Sequence, residues 1–582
     1  MKKEIILATM LTLFITFSCE DFLETVPLGV LSDNIFTNEK GINVLLIGAY
    51  AMLDGAGAGT GWGGSYAWAG SVSNWIWGSV ASDDAYKGSG ATDSTPIPPI
   101  ERYGVLPSNQ YLLDKWIANY EGVARCNAVL KVIVETKGVP AEKTAHLRAQ
   151  ALFLRAWFHF ELKRVFNNIP YITDEVKDPA KVTNTINAWP FIEADLQFAV
   201  DNLPETQIEI GRPTKYAAMA VLARVHLFQH DYVAATVFLD GIINSRKYSL
   251  MPNYHDNYKI ATNNNAESIF EIQYSVNDGT PESFNGGYGD ALNFPHGSDI
   301  GLCCGFHQPS QNLVNAFKVD GNGLPMHDSY NDSDLKNDMG IASDESFIPS
   351  VDIIDPRLDW TIGRRGIPYL DWGVMRGDDW IREQEYGGPY IYKKNMFYQA
   401  EQYTLSTTSG WATGVNANNY RAYRYAHVLL WRAECHVESN ELEEARLLVN
   451  QIRERAANQL VMGRCATYQL PEGVEPVIDY NQPAANYDVQ LYPSFPNQDY
   501  ARKAVQMELR LEFAMEGHRF FDLVRWGIAS EILNAFIIID RQFRSFFRFG
   551  TVAFDEEDEY WPIPQSAIDE QGSDILVQNP GY

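Results

Sequence analysis

The sequence is poor in cysteine and in positive charge for its length. Six of its 582 residues are Cys, and no CxxC pair suggests a zinc site. Lys and Arg total 46 against 74 Asp and Glu, which gives a formal net charge of -28. Because nucleic acids and polyanions require a basic surface, this balance argues against both as partners and is compatible with a neutral ligand.

The sequence also lacks familiar catalytic motifs. It contains no HExxH, no GxSxG and no Walker phosphate loop. Gly59, Gly61 and Gly64 satisfy GxGxxG but follow a predicted helix instead of a strand, so no dinucleotide site is predicted. The segment at residues 331–340 has Lys336 where an EF-hand needs Asp or Asn. We therefore expect no enzyme activity, metal or cofactor; a secreted glycosidase with an unrecognised carboxylate pair is the alternative.

Long apolar runs are scarce as well. Two lysines precede an apolar run at residues 5–17, which is too short to span a bilayer, and Ser18 and Cys19 follow it. This pattern predicts a signal peptide at residues 1–18, a lipidated Cys19 and a tether at residues 19–35. An ordinary signal peptide with an incidental cysteine is the alternative. Lipid would then be the means of membrane attachment.

The remaining sequence is mostly helical in pattern. Ala223 aligns with Ala433, and Ala235 with Ala445, at an offset of 210 residues. Small residues recur where two helices approach, and large ones recur between them, as in tetratricopeptide-like hairpins. We predict a mostly α fold whose helical-repeat scaffold is formed by residues 36–250 and 420–582, the latter including a C-terminal tail.

An irregular lobe interrupts this scaffold at residues 251–419. It is rich in Gly, Asn, Asp, Pro and aromatic residues, and runs such as residues 268–274 predict short strands. Insertions of this kind commonly carry binding function. Adjacent Cys303 and Cys304 would form a strained ring if joined, so no disulfide is predicted between them.

The stretch from Arg502 to Gly527 predicts two short helices that break near Gly517. Glu508, Glu512 and Glu516 recur every four residues in the first helix. A di-metal site is disfavoured because the Glu-x-x-His pattern is missing. We expect these glutamates to face water or to pair with neighbouring arginines, namely Arg510, Arg519 and Arg525.

Several of these segments together resemble the SusD/RagB family. They are CEDFLETVP, SDDAYKG, LFLRAWFHFELKRVFNNIPYI, EGHRFFDLVRWG and the tail YWPIPQSAIDEQGSDILVQNPGY. The resemblance covers nearly the entire chain. It implies a non-catalytic, surface-exposed lipoprotein of the outer membrane that captures oligosaccharides and delivers them to a SusC-like TonB-dependent transporter. Some members of the family bind peptides instead, and that alternative stays open.

Exposed flat rings and a polar rim are what a neutral glycan site needs. The glycine-rich loop and the end of the helix after it offer both, and so does the aromatic part of the lobe. The strongest candidates are Trp372 and Trp380, which lie among glycines and charged residues. The full predicted set of ligand-binding residues is Trp62, Trp68, Asp84, Lys87, Trp360, Trp372 and Trp380.

Overall fold

The computed structural model describes residues 36–55, 66–280, 283–297, 300–408, 414–544 and 552–582. The predicted lipidation site Cys19, the tether and Trp62 lie outside these ranges. Among the described helices, none is both long enough and apolar enough to cross a bilayer.

The first part of the scaffold is built on two long antiparallel helices. The helices of this part are α1 (Glu39–Tyr50), α2 (Tyr66–Gly70), α3 (Ile97–Glu101), α4 (Gln110–Glu135), α5 (Ala141–Phe166) and α6 (Trp189–Asn202). Helix α4 begins at Asn109, whose side chain accepts a hydrogen bond from the Tyr111 amide at 2.9 Å. Every residue of α5 from Ala149 to Phe166 is buried. A helix buried on all sides lies at the centre of its domain, and α1, α4 and α6 pack against α5.

Two matching helix pairs extend this core. The first is α7 (Lys215–Phe228) with α8 (Tyr232–Ser245). Short elements follow, namely α9 (Gln311–Ala316), α10 (Arg357–Thr361) and α11 (Gln384–Gly387). The second pair is α12 (Tyr425–Glu438) with α13 (Leu442–Ala457). Both helices of the second pair begin 210 residues after their counterparts, and α8 packs against α12. The mostly α, repeat-built fold is confirmed.

The chain finishes with α14 (Gln498–Phe513), α15 (Arg519–Arg525), α16 (Ala529–Asp540) and α17 (Gln565–Gln571). Helix α14 packs on α12 and α13. Gly517 separates α14 from α15 and has φ +75°, a left-handed conformation that glycine adopts without strain. A Cβ at Gly517 would lie 1.8 Å from the Ser73 carbonyl oxygen. A Cβ at Gly78 would lie 1.8 Å from the Gly517 carbonyl oxygen, so this turn also contacts the short π-helix Trp75–Val80.

Strands in the described ranges form two-stranded sheets. They are β1 (Ala85–Gly88), β2 (Ser268–Ile272), β3 (Phe306–Pro309), β4 (Ile353–Ile354), β5 (Ile362–Gly363), β6 (Ile391–Tyr392), β7 (Tyr420–Arg424), β8 (Met462–Cys465), β9 (Ile478–Pro483) and β10 (Asn486–Tyr487). Pairing is antiparallel for β1 with β3, β2 with β7, β5 with β6 and β8 with β9, and parallel for β4 with β10. Ile272 lies opposite Tyr420, so β2 and β7 join the two ends of the irregular lobe to the scaffold.

The C-terminal tail returns to the central helix. The Trp561 amide donates to the Val165 carbonyl at 3.0 Å. The Asn579 side-chain amide donates to the Phe166 and Trp561 carbonyls, each at 2.8 Å. These bonds satisfy carbonyls at the end of α5 that have no partner within the helix.

Candidate functional site

A cleft of about 470 Å³ lies between α1, the loop before α7 and the end of β2. Tyr50 and Tyr274 supply rings to its walls, and Arg212, Gln273 and Asn285 supply polar groups. The β2 strand positions Gln273 and Tyr274, because both follow its last residue directly. Gly211 has φ +89°, and a Cβ there would lie 2.5 Å from Gln273 Cγ. The loop can approach β2 this closely only with glycine at that position.

Hydrogen bonds hold one wall of the cleft in place. The Tyr50 hydroxyl and Arg212 Nη1 both donate to Gln150 Oε1, each at 2.8 Å. The Arg212 guanidinium lies 5.6 Å from the centre of the Tyr50 ring. Burial raises the pKa of both Tyr50 and Tyr274 well above the usual value, so both phenols are neutral hydrogen-bonding groups at physiological pH.

An acidic turn holds the opposite rim. Asp278 accepts hydrogen bonds from Ser275 Oγ at 2.5 Å, Thr280 Oγ1 at 2.6 Å and Asn285 Nδ2 at 2.8 Å. These bonds lower the pKa of Asp278, which is therefore ionised at any physiological pH. Ser275 and Asn285, which line the cleft, are fixed by the same carboxylate.

Trp68 belongs to an apolar cluster that borders this cleft. It packs, half-buried, with Val276 and Phe284 against a small apolar cluster that contains Tyr288. A Cβ at Gly287 would lie 3.3 Å from the Tyr274 ring, so this cluster borders the cleft directly. Trp68 itself does not line the cleft, but Val276, which packs in the same cluster, directly follows the cleft residue Ser275.

Trp372 and Trp380 belong to a neighbouring cluster. Trp372 is half-buried, its indole N–H donates to the Phe397 carbonyl at 2.8 Å, and its ring meets the Phe397 ring edge-on at 5.6 Å. Trp380 is only 2% exposed and packs edge-on against Tyr369. Its burial contradicts the exposed ring that the sequence predicted. Trp372 keeps an accessible surface and stays a candidate.

The two clusters adjoin each other through a short segment. A Cβ at Gly414 would lie 2.1 Å from Phe294, which belongs to the Trp372 cluster. The next residue, Val415, belongs to the cluster on which Trp68 packs. The clusters that contain Trp68 and Trp372 are therefore adjacent at residues 414 and 415.

Trp360 lies elsewhere, between the lobe and the end of the second helix pair. Its indole N–H donates to the Gln459 carbonyl at 2.8 Å. The His255 ring stacks on it at 4.7 Å, and Lys393 Nζ lies 5.6 Å from its centre. Since these contacts occupy the ring, Trp360 is described best as a packing residue.

Asp84 and Lys87 are both buried, which contradicts the prediction that they reach a ligand. Asp84 Oδ1 accepts from Arg510 Nε at 2.9 Å. Lys87 Nζ donates to the carbonyls of Gly90 and Asp93, at 2.7 and 2.9 Å. Burial lowers the pKa of Lys87 to about 8. These side chains connect β1 to its neighbours instead of forming the rim of a ligand site.

The glutamates of α14 form a buried ionic network, which corrects the prediction that they face water or pair locally. Five carboxylates are connected to five cations through direct ion pairs. The carboxylates are Glu267, Asp355, Glu508, Glu512 and Glu516, and the cations are Arg357, Lys394, Arg424, Arg453 and Arg455. All ten side chains are at most 4% exposed. Equal numbers of opposite charges explain how so many ionised groups are tolerated in the core.

Cys303 and Cys304 form a vicinal disulfide, against the prediction that they stay unlinked. Gly301 and Gly305, on either side, both have positive φ values of 63° and 77°. These two glycines let the backbone turn at both ends of the cysteine pair. Their positions on either side of the pair are visible in the sequence. Cys126, Cys435 and Cys465 are free and buried.

The fold and the cleft can now be compared with known proteins. A family model described as the SusD family matches residues 266–582, more than half of the chain. The chain belongs to the SusD family. A second model, described as starch-binding associating with outer membrane, matches residues 71–227, so the two together cover both parts of the helical scaffold.

Relatives within the SusD family are distant in sequence. SusD-like protein P25 of Formosa agariphila is 23% identical over 569 residues, covering 92% of each chain. A SusD-like protein of Bacteroides ovatus is 30% identical over 195 residues, 30% of this chain and 35% of that protein. Surface glycan-binding protein A of Bacteroides thetaiotaomicron, solved with laminarihexaose, superposes with a TM-score of 0.64 at 20% identity, covering 93% of this chain and 99% of that one. At this identity the superposition shows the shared fold.

Proposed function

We propose that this SusD-family protein binds a neutral oligosaccharide, with the cleft as the primary site and Trp68 at its edge. The observation that supports this most strongly is the combination of aromatic walls and a fixed polar rim in one cleft of about 470 Å³. A pyranose ring presents one face of C–H groups and a rim of hydroxyls. Tyr50, Tyr274 and Trp68 match the face, and Arg212, Gln273 and Asn285 match the rim.

The charges at the cleft favour an uncharged ligand. Arg212 pairs with Glu209 and Glu271 pairs with Arg421, so these charges are compensated within the protein, and the carboxylates Asp54 and Asp278 disfavour an anionic ligand. An anionic glycan would also meet the overall charge of -28. Laminarihexaose, the ligand of the Bacteroides thetaiotaomicron relative, is neutral, which is consistent with this choice.

Trp372 extends the proposed site. Because its cluster adjoins the Trp68 cluster, an oligosaccharide that begins in the cleft and crosses Trp68 reaches Trp372 with its later units. Stacking on a half-buried ring contributes about 1 kcal/mol, so Trp372 is a secondary contact instead of the primary one.

The wider role follows the family. We propose that Cys19 carries lipid, that the protein is displayed on the outer membrane and that it passes its ligand to a SusC-like TonB-dependent transporter. Binding without turnover is the proposed activity. Co-purification of a β-barrel partner from a native membrane tests the transporter association, and its repeated absence would count against it.

Calorimetry with laminarihexaose and a neutral α-glucan of similar length tests the binding site. Trp68→Ala and Gln273→Ala are expected to weaken binding of whichever glycan the wild type binds by about tenfold, since each removes about 1.4 kcal/mol of contact. Trp372→Ala is expected to weaken it by about fivefold, a smaller loss than the other two variants show. Phe191→Ala, at an exposed ring on α6, is the matched control and is expected to bind like wild type.

Two results would overturn this placement. Unchanged affinity in folded Trp68→Ala and Gln273→Ala variants would exclude the cleft. Release of shorter sugars that stops when a single carboxylate is replaced would favour a glycosidase.

A further inference from the structure

A second, smaller pocket of about 210 Å³ lies on the helical scaffold, away from the lobe. It is formed by the turn between α7 and α8, the end of α12, the start of α14 and the residue after α15. His230 and Tyr232 come from the turn, Glu438 from α12, Arg502 and Gln506 from α14, and Trp526 follows α15. Four separate segments of the fold thus converge on one small cavity.

The charged groups of this pocket are compensated within the protein. Glu434 accepts from Arg525 Nη1 and Nη2 at 2.5 and 2.8 Å, a two-pronged ion pair. Glu438 accepts from Arg502 Nε and Nη2 at 2.8 and 3.1 Å. Arg502 also pairs with Asp499, and Arg525 with Asp522, so both guanidiniums are fully paired within the protein and a neutral ligand is favoured over an anion.

Flat ring surface and hydrogen-bonding groups are both present. Trp526 is half-buried, and its indole N–H donates to Glu434 Oε1 at 3.1 Å, which fixes the orientation of the ring. The Arg525 guanidinium lies over one face of this ring, 4.8 Å from its centre, so a sugar would use the other face. The Tyr232 hydroxyl lies 3.2 Å from His230 Nδ1 on the other side. In the part of the chain that the structure describes, the Gln506 side-chain amide makes no hydrogen bond with protein, so its donor and acceptor are available.

We propose that this pocket binds one pyranose unit of a neutral glycan, as a second carbohydrate site distinct from the cleft. Its volume is less than half that of the cleft, and it is below the usual range for pockets that enclose a whole drug-sized ligand, about 300 Å³ and upward. One sugar ring stacks on Trp526, and its hydroxyls bind Gln506, Glu438 and Arg502.

The two sites are separated by the length of one helix. Arg212 of the cleft precedes α7, and His230 of the pocket follows it. Helix α7 has 14 residues and so spans about 21 Å. At this separation a single sugar ring cannot contact both sites, whereas a long polysaccharide can occupy both. Occupying both sites would raise the affinity of the polysaccharide above that of a short oligosaccharide.

Ligand-observed NMR with methyl glycosides of glucose, galactose, mannose and xylose, each at up to about 50 mM, suits the weak binding expected of one sugar ring. We expect at least one glycoside to bind wild type and the Trp68→Ala variant equally, and to bind Gln506→Ala at least about fivefold more weakly. Gln197→Ala, at an exposed glutamine on α6, is the matched control. Sugar binding beside Trp526 is expected to change the tryptophan fluorescence of wild type. Trp526→Phe, which keeps a ring, is expected to retain binding and to lose this fluorescence change.

Each alternative outcome contradicts the proposal. It is overturned if no glycoside binds, if folded Gln506→Ala binds like wild type, or if Trp68→Ala removes all binding of the single sugars. If Trp68→Ala removes all binding of the single sugars, the cleft is still supported as a glycan site. If instead the cleft variants lose only oligosaccharide binding, the proposal for this pocket is unaffected. Failure of the two proposals can therefore be told apart.

Discussion

Removing one charge from the buried ionic network should destabilise the protein strongly. Glu512 is the best position, because its carboxylate contacts Arg424 and Arg455, each at 2.5 Å, and Arg357 at 3.1 Å. Glu512→Gln keeps the shape of the side chain and removes its charge. Five cations would then face four carboxylates in a region that water does not reach.

The expected loss of unfolding free energy is about 3 to 5 kcal/mol, the usual cost of leaving a buried charge uncompensated. Burial alone would raise the pKa of Glu512, but Arg455, Arg424 and Arg357 overcome it and lower the pKa well below its usual range. A lowered folded-state pKa stabilises the protein above the unfolded-state value, about 4.3, and this contribution is lost as the pH falls towards the folded-state pKa. The difference between wild type and variant should therefore shrink below about pH 4.

Urea unfolding of wild type, Glu512→Gln and Asp499→Asn at neutral pH measures this effect. Asp499 lies on the same helix and pairs with Arg502, but it is 88% exposed, so its replacement should cost less than about 1 kcal/mol. A similar small loss for both variants would refute the reasoning, because it would mean that water or a rearrangement compensates the buried cations.

Four further outcomes are expected. Cys19→Ala should move the protein from the detergent phase to the aqueous phase in detergent partitioning, and equal partitioning would exclude a lipid anchor. Trp380→Ala should cost about 3 to 5 kcal/mol in thermal or chemical unfolding and leave glycan affinity unchanged in the folded protein, since the ring is buried. Gly78→Ala should cost at least about 3 kcal/mol or prevent folding, because its Cβ would lie 1.8 Å from the Gly517 carbonyl oxygen. Burial lowers the pKa of His427 and His518, the latter to about 3, so NMR should find both imidazoles neutral down to about pH 5. In the unfolded chain both histidines bind a proton below about pH 6.5. Each histidine therefore lowers the stability of the folded protein as the pH falls below that value.

The helical scaffold could be predicted because its signals are local. The spacing of apolar residues defines α4 and α5, and the offset between the two helix pairs is visible in Ala223 and Ala433. The charge network could not be predicted in the same way. Glu512 pairs with Arg357 and Arg424, which lie 155 and 88 residues away, so no local spacing indicates these partners.

The candidate site shows the same division. Trp68 and Trp380 were both predicted from a ring in a stretch with glycines; Trp68 is half-buried and stays a prediction, whereas Trp380 is buried. What separates them is packing against distant residues, which a single sequence does not display. Gln273 and Tyr274 were missed as cleft residues, although their place directly after a predicted strand was visible.

The contacts between the two ends of the chain also restrict the order in which the protein can fold. Asp83 pairs with Arg519, which follows it by 436 residues, and Asn579 binds the end of α5. While the chain emerges from N to C terminus, its first half lacks the residues that neutralise Asp83 and cover α5. Long-range contacts of this kind slow folding and expose apolar surface meanwhile. The core around α5 and Asp83 can therefore be completed only after the segment that carries Arg519 and Asn579 has been synthesised.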